Sequence, residues 1–254
     1  MASAPSTPAA AAGSNPPASP IEPLPTDLAR SYTHVHPLLL LSLFAWRFDA
    51  LVADPAPVLL SSLLPVAALQ VAYVALCLPP TSGSSSAAAI RRKVGAGEKK
   101  KGGVAGAGGK VERGWNGTVV PAFLSLLLTA LAATPLLAAL LVLFGAPATT
   151  HHAHTLLAAA HMAVLGALPL VYVHGVRGET WRQAVALLLP VDEVYGGLIG
   201  TVVGAWLGAV PVPLDWDREW QQWPVTIVTG AYVGYALGKV VGGTVLRGKK
   251  VLFE

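Results

Sequence analysis

Apolar residues along this chain fall in long blocks rather than at the period of an amphipathic helix or a strand. Six blocks lie near residues 34–54, 56–79, 118–144, 150–174, 191–213 and 224–246. Blocks of about 20 residues are what a ~30 Å hydrocarbon core requires of a spanning helix. The first block is the weakest, because Arg47 and Asp49 interrupt it; the third is the clearest. Pro121, Pro135 and Pro169 sit inside blocks, which membrane helices tolerate. The pattern predicts an all-α, polytopic membrane protein: a bundle of six transmembrane helices in one domain, residues 34–246. An Ala/Pro/Ser-rich stretch, 1–33, reads as a disordered tail. A low-complexity loop, 81–117, separates the second and third blocks, and residues 247–254 form a second tail.

Composition narrows the class further. Of 254 residues, 54% are hydrophobic and 12% charged, about half the charged fraction of a soluble domain. A soluble enzyme, a nucleic-acid-binding domain and a disulfide scaffold are thereby excluded, the last because Cys77 is the single cysteine. No basic start followed by an apolar stretch opens the chain, so no cleavable signal peptide is expected.

The net charge of +4 matters through its distribution. Loop 81–117 holds eight Lys/Arg against Glu98 and Glu112, a net of +6. With six spans, that loop, Arg177, Arg182, Arg247, Lys249 and Lys250 share one side, and Arg218 alone faces the other. By the positive-inside rule both termini are cytosolic. The Asn116 sequon then faces the cytosol and stays unmodified. The glycines of the loop lack the spacing of a phosphate-binding loop, and the loop reads as a flexible basic segment attracted to anionic lipid.

Candidate chemistry is sparse, and packing signals dominate. Gly196, Gly200, Gly204 and Gly208 recur every four residues in the fifth block; Gly230, Gly234, Gly238 and Gly242 do so in the sixth. That spacing keeps them on one helix face, where backbones can approach closely. Either the two faces pack on each other, or one receives a helix from another protein. The connector between them, 211–224, reads PVPLDWDREWQQWP. Trp216, Trp220 and Trp223 would share a face if it were helical, as in an interfacial helix on the lumenal surface. Asp215, Asp217 and Glu219 would then face water or a partner. His151, His152, His154 and His161 lack a carboxylate nearby and read as a polar helix start rather than a metal site. Arg47, Asp49 and Lys239 are possible polar contacts in the membrane, and Lys239 is at the depth of Asp192 and Glu193. No nucleophile motif, zinc motif or nucleotide loop is present, and no metal or cofactor is expected.

The connector carries a resemblance. Pro213, Leu214, Asp215, Trp216, Asp217, Arg218, Trp220, Gln221, Trp223 and Pro224, followed by Gly230, Ala231, Tyr232, Gly234 and Gly238, resemble the PIG-F family of glycosylphosphatidylinositol (GPI) anchor biosynthesis in its fungal form. So do LFGAP at 143–147 and GAWLGA at 204–209; Glu219 stands where the family would have proline. The likeness covers 118–246 well and 34–80 loosely. It implies a multi-pass endoplasmic reticulum protein, a non-catalytic stabilising partner of the transferases that add ethanolamine phosphate to GPI precursors. The partners implied are the catalytic transferase subunits and membrane lipids, among them a GPI precursor, but no nucleic acid. The alternative is a lipid transporter or scramblase presenting GPI or phosphatidylethanolamine to the transferase. Lys249-Lys250 sits one step too far from the C-terminus for a dilysine retrieval signal.

Overall fold

The structure, a computed structural model, describes residues 19–81, 117–214 and 217–250. The basic loop, apart from its end residues, and the two chain ends lie outside the described residues, as do Asp215 and Trp216.

Every regular element among the described residues is helical. α1 spans Asp27–Trp46. Its start corrects the expected tail: the Thr26 hydroxyl accepts the Ala29 N–H at 3.1 Å, and Asp27 sits in the first turn. Both satisfy a helix N-terminus, so the helix begins seven residues before the apolar block. It breaks at Arg47, and a short α2, Phe48–Ala53, follows. α3 runs Pro55–Cys77 with proline in its first turn, where a missing N–H costs nothing. α4 is Val119–Leu143 and α5 is His152–His174. α6, Gly178–Val185, lies between the apolar blocks, and the Trp181 indole ties it back to the Gly175 carbonyl at 2.8 Å. α7 is Glu193–Gly208, and α8 is Val225–Gly243.

α3, α4, α5 and α8 are long and apolar enough to cross a membrane. α7 has 16 residues, roughly 24 Å at 1.5 Å per residue.

Two of the long helices carry a π turn, Thr129–Ala133 in α4 and Ala163–Ala167 in α5. Each lies just before a proline, Pro135 or Pro169. A proline ring clashes with the carbonyl four residues back, and a widened turn moves that carbonyl aside. In α5 the displaced carbonyl is Leu165, which accepts the Gln70 amide at 2.6 Å. The proline is thus accommodated, and α3 is joined to α5.

The helices alternate in direction, gathering their connections at two ends. At one end the Leu24 N–H donates to the Cys77 carbonyl, Thr81 to the Tyr172 carbonyl, and Gly248 to the Val191 carbonyl. Arg177, Arg182, Arg247, Lys249 and Lys250 all belong to this end. At the other, the Gln222 amide donates to the Val52 carbonyl, close to the 3-10 turn Glu219–Gln221. The core between them is built around Tyr73, Leu168, Tyr172 and Tyr195 on one side and Leu59, Leu165, Tyr232 and Tyr235 on the other.

Candidate functional site: a glycine seam and a buried polar centre

α7 and α8 pack along their whole length, more extensively than any other helix pair among the described residues. The glycines meet in antiparallel register. A Cβ at Gly204 would collide with the Gly230 carbonyl and lie 2.9 Å from the Gly234 Cα; one at Gly200 would collide with the Gly234 carbonyl. Gly196 faces Gly238 and Gly242, and Gly208 faces Thr226. All eight predicted glycines therefore lie in one seam, backbone on backbone. The alternative, in which one face receives a partner's helix, is corrected by this geometry: each face is filled by the other.

The seam carries a polar centre at the end of α7. Lys239 Nζ lies 3.2 Å from Glu193 Oε2 and donates to Thr33 Oγ1 at 3.0 Å. Thr33 in turn donates to Glu193 Oε2 at 2.9 Å, and the Tyr73 hydroxyl to Glu193 Oε1 at 2.7 Å. The ammonium also sits 3.8 Å from the centroid of the Tyr73 ring. Four helices, α1, α3, α7 and α8, meet here. Lys239 is 3% exposed, so the pair is dry, and a dry pair holds only when its remaining lone pairs and protons are satisfied. Asp192 does not join it. Its carboxylate accepts from the N–H groups of Val194, Tyr195 and Ile21, at 2.8 to 2.9 Å, which caps α7 and fastens the chain before α1.

His36, one turn from Thr33, stacks on Tyr73 with ring centroids 4.6 Å apart. Gln70, one turn from Tyr73, reaches the Tyr235 hydroxyl at 3.2 Å as well as the Leu165 carbonyl. Sequence reasoning passed over Thr33, His36, Gln70 and Tyr73. The signal available was polar residues three apart, Gln70/Tyr73 inside the second apolar block and Thr33/His36 astride the start of the first.

The other candidates scatter. Arg47 donates to Ser61 Oγ at 2.8 Å and lines a small cavity of about 10 Å³ with Ser62, His161 and Tyr232, room for about one water. Asp49 is exposed. His161 is fully occupied: Nε2 meets the Leu59 carbonyl at 3.0 Å and Nδ1 the Tyr232 hydroxyl at 2.7 Å. A carbonyl can only accept, so Nε2 carries the proton, and the neutral ring accepts from Tyr232 at Nδ1. His151 and His154 pair edge to face at the start of α5, with centroids 5.1 Å apart. Among the described residues no group of three or more His, Cys, Asp or Glu side chains is placed to hold a metal ion.

Among the described residues of the connector, the one regular element is the 3-10 turn, which holds Trp220; Trp216, the first of the expected stripe, lies outside the described residues. Gln221 organises it: Nε2 donates to the carbonyls of Pro211 and Leu214 at 2.9 and 2.8 Å, and Oε1 accepts the Arg218 N–H at 3.0 Å. Asp217, Arg218 and Glu219 are exposed, Trp220 and Trp223 half-buried, and the peptide bond between Trp223 and Pro224 is cis.

The arrangement holds helices together and encloses its charges; its carboxylate is engaged by groups of the same chain. Known proteins agree on where it belongs. Residues 35–243 match the GPI biosynthesis protein family Pig-F. The glycosylphosphatidylinositol anchor biosynthesis protein 11 of Aspergillus fumigatus is 53% identical, over 89% of this chain and 83% of its own length. Its Neurospora crassa namesake is 48% identical over 91% and 80%. A human relative, the GPI ethanolamine phosphate transferase stabilizing subunit, is 35% identical over 39% of this chain and 48% of its own. No solved structure matches. With the family covering all of α3 to α8 and most of α1, this chain belongs to the Pig-F family of GPI biosynthesis proteins.

Proposed function

We propose that this chain is a non-catalytic, stabilising subunit of the ethanolamine phosphate transferases that modify GPI precursors in the endoplasmic reticulum membrane. The observation that carries the reading is the enclosure of the polar centre. The buried cation, carboxylate and hydroxyls join four helices of the same chain, which suits a scaffold. The name of the human relative, a stabilizing subunit of the GPI ethanolamine phosphate transferase, supports the partner.

In this reading α1 with α2, and α7, complete six spans with α3, α4, α5 and α8, both termini lie in the cytosol, and the connector lies in the lumen. The clustering of Arg177, Arg182, Arg247, Lys249 and Lys250 at one end supports that orientation. Because the glycine seam is internal, contact with a catalytic subunit falls on the outer surface.

Depletion of the chain in cells tests the proposal. The catalytic subunits should lose abundance, and GPI precursors lacking ethanolamine phosphate should accumulate. Unchanged transferase levels and precursors would refute it, as would metal-dependent transfer by the purified chain alone.

A further inference from the structure

Between α4, α7 and the start of α8 runs an open groove of about 490 Å³, within the size range of small-molecule sites. Large side chains project into it, Leu137 and Leu141 of α4, Phe144 just beyond α4, Trp206 of α7 and Ile227 of α8, around a few small positions such as Ala205. That bulk disfavours a partner's helix, because close helix approach in a bilayer uses small residues, and the glycines of α7 and α8 are already in the seam. A hydrocarbon chain can thread between such side chains without backbone contact.

Trp223 lines the groove, and its indole N–H is buried with no acceptor. An orphan donor beside an apolar channel suits an occupant that is apolar along its length and carries one acceptor. The ester carbonyl of a glycerolipid is such a group, met where indoles prefer to sit, at the boundary of hydrocarbon and water.

Charge extends the match. Through Gln221 the backbone at Arg218 is fastened to Pro211 and Leu214, which bracket Val212 and Pro213, both groove residues. Asp217, Arg218 and Glu219 are exposed there, and none of the ion pairs among the described residues involves them. One cation between two carboxylates complements a head that carries one phosphate and one ammonium.

We propose that the groove holds an acyl chain of a zwitterionic glycerophospholipid, with the ester carbonyl on the Trp223 indole and the head against residues 217–219. The proposal requires α4 in the bilayer and is independent of any transferase partner, so failure of the depletion experiment leaves it standing.

The test uses the full-length chain in phosphatidylcholine nanodiscs with a trace of phosphatidylethanolamine bearing a diazirine on one acyl chain. After irradiation, adducts should concentrate on Leu137, Leu141 and Trp206. Val203→Trp, at an exposed groove position, should abolish that concentration. Trp223→Phe should lower the yield about five-fold, the equivalent of one ordinary hydrogen bond. Leu131→Trp, on the outer face of α4, should change nothing, and an unchanged melting midpoint reports that each variant is folded. Adducts spread along α4 in proportion to exposure and indifferent to both groove variants would overturn the proposal. Protein–protein adducts at Trp206 would overturn it in favour of a second copy or a partner helix. Equal yield from a phosphatidylglycerol probe would overturn the assignment of the head.

Discussion

α4 and α7 represent opposite ways of being a helix in this protein. α4 is the most apolar of the long helices, yet 11% of its apolar stretch is buried, against 89% for α5. Leu131, Leu136 and Leu143 all point outward, each more than half exposed. α7 is shorter, begins with a carboxylate and is studded with glycine, yet it packs backbone on backbone against α8, the most extensive helix pairing among the described residues. In water the leucine-rich helix would be the core. In lipid, leucine gains little by leaving its surroundings, and association rests on close approach and polar contacts. Between these two helices, close packing goes to the one with small and polar residues rather than to the more hydrophobic one.

That contrast can be broken at its strongest point first. Gly204→Leu drives a side chain into the Gly230 carbonyl, and the seam cannot close; the expected result is loss of folded protein, read by size-exclusion profile and steady-state abundance. Gly178→Ala, with open space around it, should be unaffected. A folded Gly204→Leu protein with a normal profile would mean that the seam is not what joins α7 to α8.

Lys239→Met comes next. It leaves Glu193 buried without its cation and should cost about 3–5 kcal/mol in detergent unfolding. Pairing it with Glu193→Gln should recover much of that loss, since both charges are then gone. If the double variant is no better than the single, the ion pair is not the source of the cost.

Gln70→Leu sits lower. It strands the Leu165 carbonyl at the π turn and should cost about 1–3 kcal/mol, the range for an unsatisfied buried group. Leu131→Ala on α4 should shift the same unfolding transition by no more than about 0.5 kcal/mol. An α4 truncation as damaging as Gln70→Leu would erase the distinction between the two helices.

Much of this was legible beforehand. The long helices fall where the apolar blocks lie, because length and composition carry that information locally; α6 lies between blocks, and α1 starts ahead of the first. The glycine ladders were equally plain, each repeating within one helix. Whether they would face each other was not written in either repeat, since that depends on how α7 and α8 are placed. The polar centre was hidden for the same reason. Thr33 and Glu193 are 160 residues apart, and Thr33 and Lys239 are 206 apart, so no spacing rule links them. Depth alone matched Lys239 to Asp192 or Glu193 without choosing between them; Thr33 read as the end of the tail, and Tyr73 as an ordinary residue of an apolar segment. In the connector, the tryptophan spacing suggested a helix, but Pro211, Pro213 and Pro224 restrict the backbone, and Gln221 sets the turn instead.

The antiparallel seam also bears on how the protein is made. Bringing a lysine to the centre of a membrane helix costs about 2.5–3.5 kcal/mol at insertion, and α8 carries Lys239. α7 has 16 residues, which leaves it short for a ~30 Å core by itself. Each supplies what the other lacks, a counter-charge in one direction and a long apolar companion in the other. In the six-span reading proposed above, these two helices would enter the bilayer as a hairpin rather than one after the other. The seam then closes only once α8 has followed α7 out of the ribosome, so the closest packing in the bundle waits for both helices.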